Sequence, residues 1–420
     1  MARYVKTEQG YQEIEAINSK FSPFKPEGKS YLTFRSLSSF TLKVNDATKH
    51  WNGTLEYFAS DKTWTVWDGT TTLSAVADDG EYVLYLRGTG NTVIMGYGVH
   101  YLVLTGTDIK CIGNIENLLD YATVASGEHP TMADYCYSGM FQGCTSLTQA
   151  PALPATTLAS QCYSVMFTGC TALTQAPALP ATTLASQCYS GMFRDCTGLT
   201  QAPALPATTL ASYCYSSMFQ GCTSLTQAPA LSATMLANSC YQYMFTGCTA
   251  LTKAPALPAT TLANSCYYGM FQDCTGLTQA SALPATTLAV YCYRSMFQGC
   301  TVLTQAPVLP ATTLAENCYY KMFYNCTSLK LSSTKTGEYI QEYRIPSSGE
   351  GVTALNALFN MFTSTGGAFT GTPEVNKTYY LSSDNMIVRE TEIATLNGYI
   401  GSMIAAKAAV AYPSAEDSTF

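Results

Sequence analysis

The sequence predicts a mainly β protein with short helical turns: an N-terminal β-sandwich followed by a solenoid of stacked repeats. Two observations carry the solenoid. A phrase reading Cys-Tyr-x-x-Met-Phe-x-x-Cys-Thr-x-Leu-Thr begins at Cys136, Cys162, Cys188, Cys214, Cys240, Cys266, Cys292 and Cys318, a strict step of 26 residues with no insertion. A fixed period of roughly 20–50 residues is the mark of units that bury their apolar faces only against copies of themselves. After each phrase comes a Pro-rich stretch, in which residues such as Pro151 and Pro154 bar a helix. The third observation carries the sandwich: residues 28–107 hold short β-type runs separated by turn residues.

Residues 1–27 read either as a disordered start or as a docking segment that folds on a larger assembly. Tyr11, Ile14, Ile17 and Phe21 space an amphipathic turn closed by Pro23 and Pro26, too short to hold as a free helix. The β-type runs then fall at 31–34, 40–44, 54–57, 64–67, 81–86 and 92–94, with turn signals at Asn45-Asp46, Asn52-Gly53, Ser60-Asp61, Asp68-Gly69 and Asp79-Gly80. Trp51, Trp64 and Trp67 all lie here, and buried packing explains them better than an exposed sugar-stacking platform. Turns likewise explain the acids Asp61, Asp68, Asp78, Asp79 and Glu81.

Residues 108–385 are the predicted solenoid with its caps. Cys111 and its neighbours make an irregular first unit. In the regular units the stretch Leu-Thr-Gln-Ala-Pro is the expected stacked strand, rising roughly 4.8 Å per unit. Cys-Tyr-x-x-Met-Phe, with apolar residues at i, i+4 and i+5, suits one or two helical turns. Beyond Lys330 the pattern drifts into a terminal cap, with a Met-Phe-like echo at 354–362 and a closing strand at 379–381. Residues 386–408 suit a helix, which packs on the cap or pairs with another subunit, and 409–420 form a tail; the last segment, 386–420, thus leaves homo-oligomerisation open.

Leu-Pro, then Leu-Ala, then Met-Phe-x-x-Cys-Thr-x-Leu-Thr resembles the BspA-like leucine-rich repeats, in which Leu/Ile-Pro precedes Ala-Phe-x-x-Cys, a small residue and Leu-Thr. Met-Phe stands where that family usually has Ala-Phe, and the unit is a few residues longer. The resemblance covers about residues 136–330. It implies a curved leucine-rich-repeat solenoid used in adhesion and recognition, with no catalytic residues to carry over.

With 12% charged residues, a net charge of −7 and no basic run, the chain offers nothing to nucleic acid. No run of 18 apolar residues suggests a membrane span, and the first residues show no apolar signal-peptide core. Sixteen of the seventeen cysteines are repeat positions, and they read as buried free thiols packed as small hydrophobes. A seven-residue gap between paired cysteines and only three histidines, His50, His100 and His129, give no zinc pattern, so no metal or cofactor is expected. The acids of the repeats, Asp195, Asp273 and Glu316, are isolated, no nucleophile or phosphate-loop motif occurs, and no enzyme is expected.

Variation among the repeats concentrates at the two residues before each Cys-Tyr and the two after it. Positions clamped between copies cannot vary, so these face solvent. The later repeats place there Tyr213, Tyr243, Tyr268, Tyr291, Arg294, Tyr320 and Lys321, with Tyr324 nearby. Tyr offers a large, stiff contact at low entropic cost, so these eight form the candidate ligand-binding face, against neutral drift on a solvated surface. The row Gln149, Gln175, Gln201, Gln227, Lys253, Gln279 and Gln305 is a second candidate, with structural stacking as its simpler role. The expectation is a non-enzymatic adhesion or recognition protein at a virion surface or outside the cell. It would be a bacteriophage fibre, receptor-binding or decoration protein that contacts a host surface glycan or protein and mounts on a virion scaffold through its N-terminal region. The alternatives are a bacterial cell-surface adhesin and a structural spacer without ligand.

Overall fold

Strands in the N-terminal region form where β-branched and aromatic residues alternate between turn signals. In the computed structural model, which describes residues 4–7, 10–13, 24–28, 30–346 and 354–388, the chain divides into two units, Met1–Pro206 and Ala207–Phe420. The first unit opens with a hairpin, β1 (Tyr4–Thr7) against β2 (Gly10–Glu13), which puts Tyr11 in a strand; the rest of the expected amphipathic turn, 14–21, lies outside the described residues.

There follow β3 (Leu32–Ser36), β4 (Thr41–Val44), β5 (Thr54–Phe58), β6 (Trp64–Trp67), β7 (Leu73–Ser74), β8 (Val76–Asp78), β9 (Glu81–Thr89), β10 (Leu102–Thr105), β11 (Ile109–Ile112) and β12 (Leu147–Gln149). They form two sheets, β10-β4-β7 and β12-β11-β3-β9-β5-β6, with β8 on β9. Trp51 and Trp67 are buried with ring centroids 5.2 Å apart, and Trp64 lies under the Arg87 guanidinium. Two of the acids serve turns, Asp61 accepting from Thr63 and Asp68 from Thr70; Asp78 instead accepts the distant Phe24 N–H and Glu81 pairs with Arg35 at 2.8 Å, contrary to the expectation that turns explain them. Strand β11 pairs antiparallel with β3 on one side and parallel with β12 on the other, so one sheet runs into the first repeat. A nine-residue helix, α1 (Asn117–Ala125), follows and is broken at Asp120 (φ −153°).

The Cys-Tyr-x-x-Met-Phe segment is not helical, which corrects the expectation. Counting the first Cys of a repeat as position 0, residues at −1, +3 and +7 all take positive φ, as in Gln161, Val165 and Gly169 (57°, 50° and 74°). The segment is a ribbon of four-residue turns, with pairs facing alternately in and out. Cys162, Tyr163, Met166, Phe167 and Cys170 are therefore all buried. Over nine residues this period of four mimics the helical 3.6. The two differ in hydrogen bonding: a helix keeps its N–H groups within the segment, whereas here alternate ones leave it. The N–H groups of Gln161, Tyr163, Val165, Phe167 and Gly169 donate to carbonyls of the next repeat, while those between them close turns onto the residue three back. The Pro-rich stretch contributes single parallel bridges, Thr157 to Thr183 and Gln175 to Gln201, since proline withholds donors from longer ladders.

The second unit repeats this arrangement from Tyr213 onward. Its Tyr and Phe rings stack on the next repeat at 5.7–5.9 Å between Tyr215 and Tyr267 and between Phe219 and Phe271, inside the range for aromatic contact. A ninth ribbon covers the eighth. Asn317, Tyr319, Lys321, Phe323 and Asn325 donate to Leu355, Ala357, Phe359, Met361 and Thr363, with Ala357 at the place of the first Cys. Beside it lie β13 (Gln305–Pro307), β14 (Lys330–Ser332), β15 (Tyr339–Arg344), β16 (Gly366–Gly367), β17 (Thr378–Ser382) and β18 (Met386–Val388). The closing strand expected at 379–381 is β17, second in the sheet β15-β17-β14-β16. Residues 386–388, expected to begin a helix, form β18 parallel to β13; the remainder of that helix and the tail lie outside the described residues.

Candidate functional site

The turn ribbon decides which side chains reach solvent together. Positions 0, +1, +4 and +5 point inward. Positions −1, +2 and +3, expected to face solvent, and +6 are buried at several small residues such as Ser138, Ser239 and Ser295, and where they hold large ones the second unit builds from them a partly exposed patch of tyrosines and cations. Arg294, at +2, lies at its centre. Its guanidinium carbon is 4.3 Å from the Tyr320 ring centroid and 5.3 Å from those of Tyr268 and Tyr291. Lys321 approaches the rings of Tyr320 and Tyr324 at 5.5 and 5.1 Å. Tyr243 meets Tyr268 at 4.8 Å, and burial with this contact pushes its hydroxyl pKa up. The Tyr291 hydroxyl donates to Glu316 at 3.5 Å, and Asn317 donates to the same oxygen at 3.1 Å.

Seven of the eight residues singled out in the sequence are thus in one connected set. Tyr213, 42% exposed, takes no part in these ring contacts. The sequence missed two members. Phe359 stacks on Tyr320 at 5.5 Å and is 44% exposed; its place at +2 of the ninth ribbon was hidden by the loss of the Cys there. Gly269 is the floor beneath Tyr243: a Cβ there would meet the Tyr243 ring carbons at 2.4 Å.

The left-handed backbone at −1 and +3 is common to all the repeats, and bulky side chains such as Val165 and Gln187 occupy it outside the patch too. Tyr243 and Lys321 occupy +3 with φ of 55° and 53°, and Tyr291 occupies −1 with φ of 58°. Bulky residues enter this region at a cost of order 1 kcal/mol or more, which glycine escapes. Gly139, Gly191 and Gly269 hold +3 in other repeats. Each cation–π contact returns about 0.5–2 kcal/mol and holds the rings in place before any ligand arrives. Among the described residues the Arg294 Nε is buried without a hydrogen-bond partner.

The glutamine row pairs through its backbone. Gln175 bridges Gln201 in the first unit, and Lys253 bridges Gln279, which bridges Gln305, in the second. Lys253 and Gln227 also line a shallow groove of about 530 Å³ with Thr226, Thr252 and Pro255. In the first unit a cavity of about 390 Å³ is lined by Glu116, His129 and residues 155–159, and its single carboxylate is paired to His129 at 2.8 Å.

None of the seventeen cysteines is in a disulfide, and all are buried. At +8 the thiol has a partner: the Sγ groups of Cys170, Cys196, Cys248, Cys274 and Cys300 donate to the Phe carbonyl of the preceding repeat at 2.9–3.1 Å. Burial pushes Cys144, Cys196 and Cys274 up to about 12, so these groups are neither nucleophiles nor ligands.

Stacked 26-residue units with buried Leu, Phe and Cys rows and short parallel bridges define a leucine-rich-repeat protein. The family model for the BspA type leucine rich repeat region matches in six copies, over residues 126–252 and 213–348, more than half of the 420 residues. The chain belongs to the BspA-type leucine-rich-repeat family. Neither the curated proteins nor the solved structures yield a match. Repeats of this family are typically non-enzymatic interaction domains, which agrees with the absence of catalytic motifs in the sequence.

Proposed function

We propose that this is an adhesion protein whose repeats form a solenoid, and that the patch around Arg294 is its contact surface for a surface glycan or protein. One observation carries the reading: Tyr243, Tyr291 and Lys321 occupy left-handed backbone positions and join a ring-and-cation cluster on the outward positions of the ribbon. A pure spacer has no use for rings and cations gathered into one cluster, whereas a contact surface gains stiff aromatic area from them. In its finer form the proposal is a bacteriophage fibre, receptor-binding or decoration protein acting at a virion surface, with residues 1–107 as its mount. A bacterial cell-surface adhesin is the alternative and uses the same patch.

The test replaces Tyr268, Tyr291 and Tyr320 together by Ser in the full chain. Co-sedimentation with bacterial cells should fall at least tenfold while the melting temperature stays within a few degrees. Undiminished attachment would exclude the patch. Attachment of the chain to virus particles, and not to cells, would turn the reading toward decoration or spacing.

A further inference from the structure

The first unit brings together three metal-ligating groups, two of them four residues apart in one connection and the third fifty residues further on. Asp46 and His50 lie in the connection between β4 and β5, and His100 lies just before β10. The His50 Nε2 is 2.8 Å and the His100 Nδ1 3.2 Å from one oxygen, Asp46 Oδ2, and the three ligand atoms lie within 4.8 Å of one another. In a tetrahedral zinc site with bonds of about 2.0–2.1 Å, neighbouring ligand atoms are about 3.3 Å apart. The two distances to Asp46 Oδ2 are already near that value.

The surrounding contacts hold these groups in place. Thr48 donates to Asp46 Oδ1 from both its N–H (3.2 Å) and its hydroxyl (2.9 Å), and its hydroxyl also lies 2.6 Å from His50 Nε2. Asn45 ties the two segments together: its N–H donates to the Tyr101 carbonyl, its side-chain amide donates to Val99, and its side-chain oxygen accepts from Tyr101. The imidazoles stack with centroids 3.5 Å apart. The His100 Nδ1 is buried and makes no hydrogen bond.

We propose that Asp46, His50 and His100 bind a divalent transition-metal ion of the zinc class, with solvent completing the coordination. Two imidazoles and one carboxylate favour Zn²⁺, Ni²⁺, Cu²⁺ or Co²⁺ over Ca²⁺ and Mg²⁺, which prefer oxygen-rich sites. Binding turns the stacked rings apart, because the ion must lie near the plane of each imidazole. The ion would clip the β4–β5 connection to the segment that holds the first repeat, where the Leu102 N–H donates to the Met140 carbonyl.

Titration of the full chain with Co²⁺ tests the site. The expected result is saturation at one equivalent, with a visible spectrum of nitrogen and oxygen ligation and no thiolate charge-transfer band. Zn²⁺, but not Ca²⁺, should raise the melting temperature. His100→Gln and His50→Gln should each weaken binding at least tenfold while leaving the circular dichroism unchanged. Failure to saturate, a thiolate band that places the ion on cysteine, or full affinity in the double variant would each overturn the proposal. The wild-type spectrum decides the matter alone if a variant does not fold.

Discussion

At the scale of the residue, the left-handed positions of the ribbon make the sharpest forecasts. Ser217, at +3 with φ of 54°, should gain about 0.5–1 kcal/mol on Ser217→Gly, since glycine takes this conformation without a Cβ penalty. Gly247, at +7 with φ of 72°, should lose at least about 1 kcal/mol on Gly247→Val. Denaturant unfolding of both variants checks the pair, and equal effects at the two sites would refute the backbone account. The same rule explains why +7 holds only Gly, Asp or Asn in all eight repeats: Asp and Asn are the side chains that best tolerate this region.

The buried thiols make a second residue-scale forecast. In the unfolded chain they ionise near their usual value, about 9; in the folded protein burial pushes Cys144, Cys266 and Cys274 up to about 12. The folded state therefore holds the more protons between these values. Its stability is complete below about pH 9 and falls as the pH rises toward 12. Unfolding free energies should be flat from pH 7 to about pH 8.5 and drop steeply above that. A protein equally stable at about pH 10.5 would contradict this.

At the scale of the element, the repeat is held by rows that run through each unit. Phe245 is buried between Phe219 and Phe271, so Phe245→Ala should cost about 3–5 kcal/mol in denaturant unfolding. Gly269→Ala is a subtler test, because the new methyl group must displace the Tyr243 ring and endure a φ of 59°. It should weaken attachment more than it weakens folding, and the ratio of the two losses is the measurement. The short bridges of the Pro-rich stretch contribute less, since each is a single residue pair between prolines.

At the scale of the whole molecule, seventeen cysteines without a disulfide give a protein indifferent to reductant. Dithiothreitol should leave the melting temperature unchanged, and a thiol reagent should count seventeen sulfhydryls in denaturant but almost none in the native state. Rapid labelling of the native protein would show that the rows open. Absence of disulfides also places the weight of stability on ring stacking and on hydrogen bonds between repeats, each donated along the direction of stacking.

The period and the inward rows were legible in the sequence, because a strict repeat forces like residues into like places; the variable positions, expected to face solvent, are in part buried, as at Ser138, Ser239, Ser295 and Asn317. Most of the candidate patch was legible too: Tyr243, Tyr268, Tyr291, Arg294, Tyr320, Lys321 and Tyr324 were named from variation alone, although nothing in the chain said that they touch. The nature of the ribbon was not legible, since periods of 3.6 and 4 cannot be told apart over nine residues. Backbone hydrogen bonds to the next copy decide between them. The ninth ribbon at 354–363 was half visible in its Met-Phe pair but lacks the Cys that marked the others. Asp46 and His50 are four residues apart, but His100 stands fifty residues further on, and only the approach of the β4–β5 connection to the segment before β10 brings it to them. Local periodicity thus settled what is buried, and the long-range meeting of connections settled which polar groups come together.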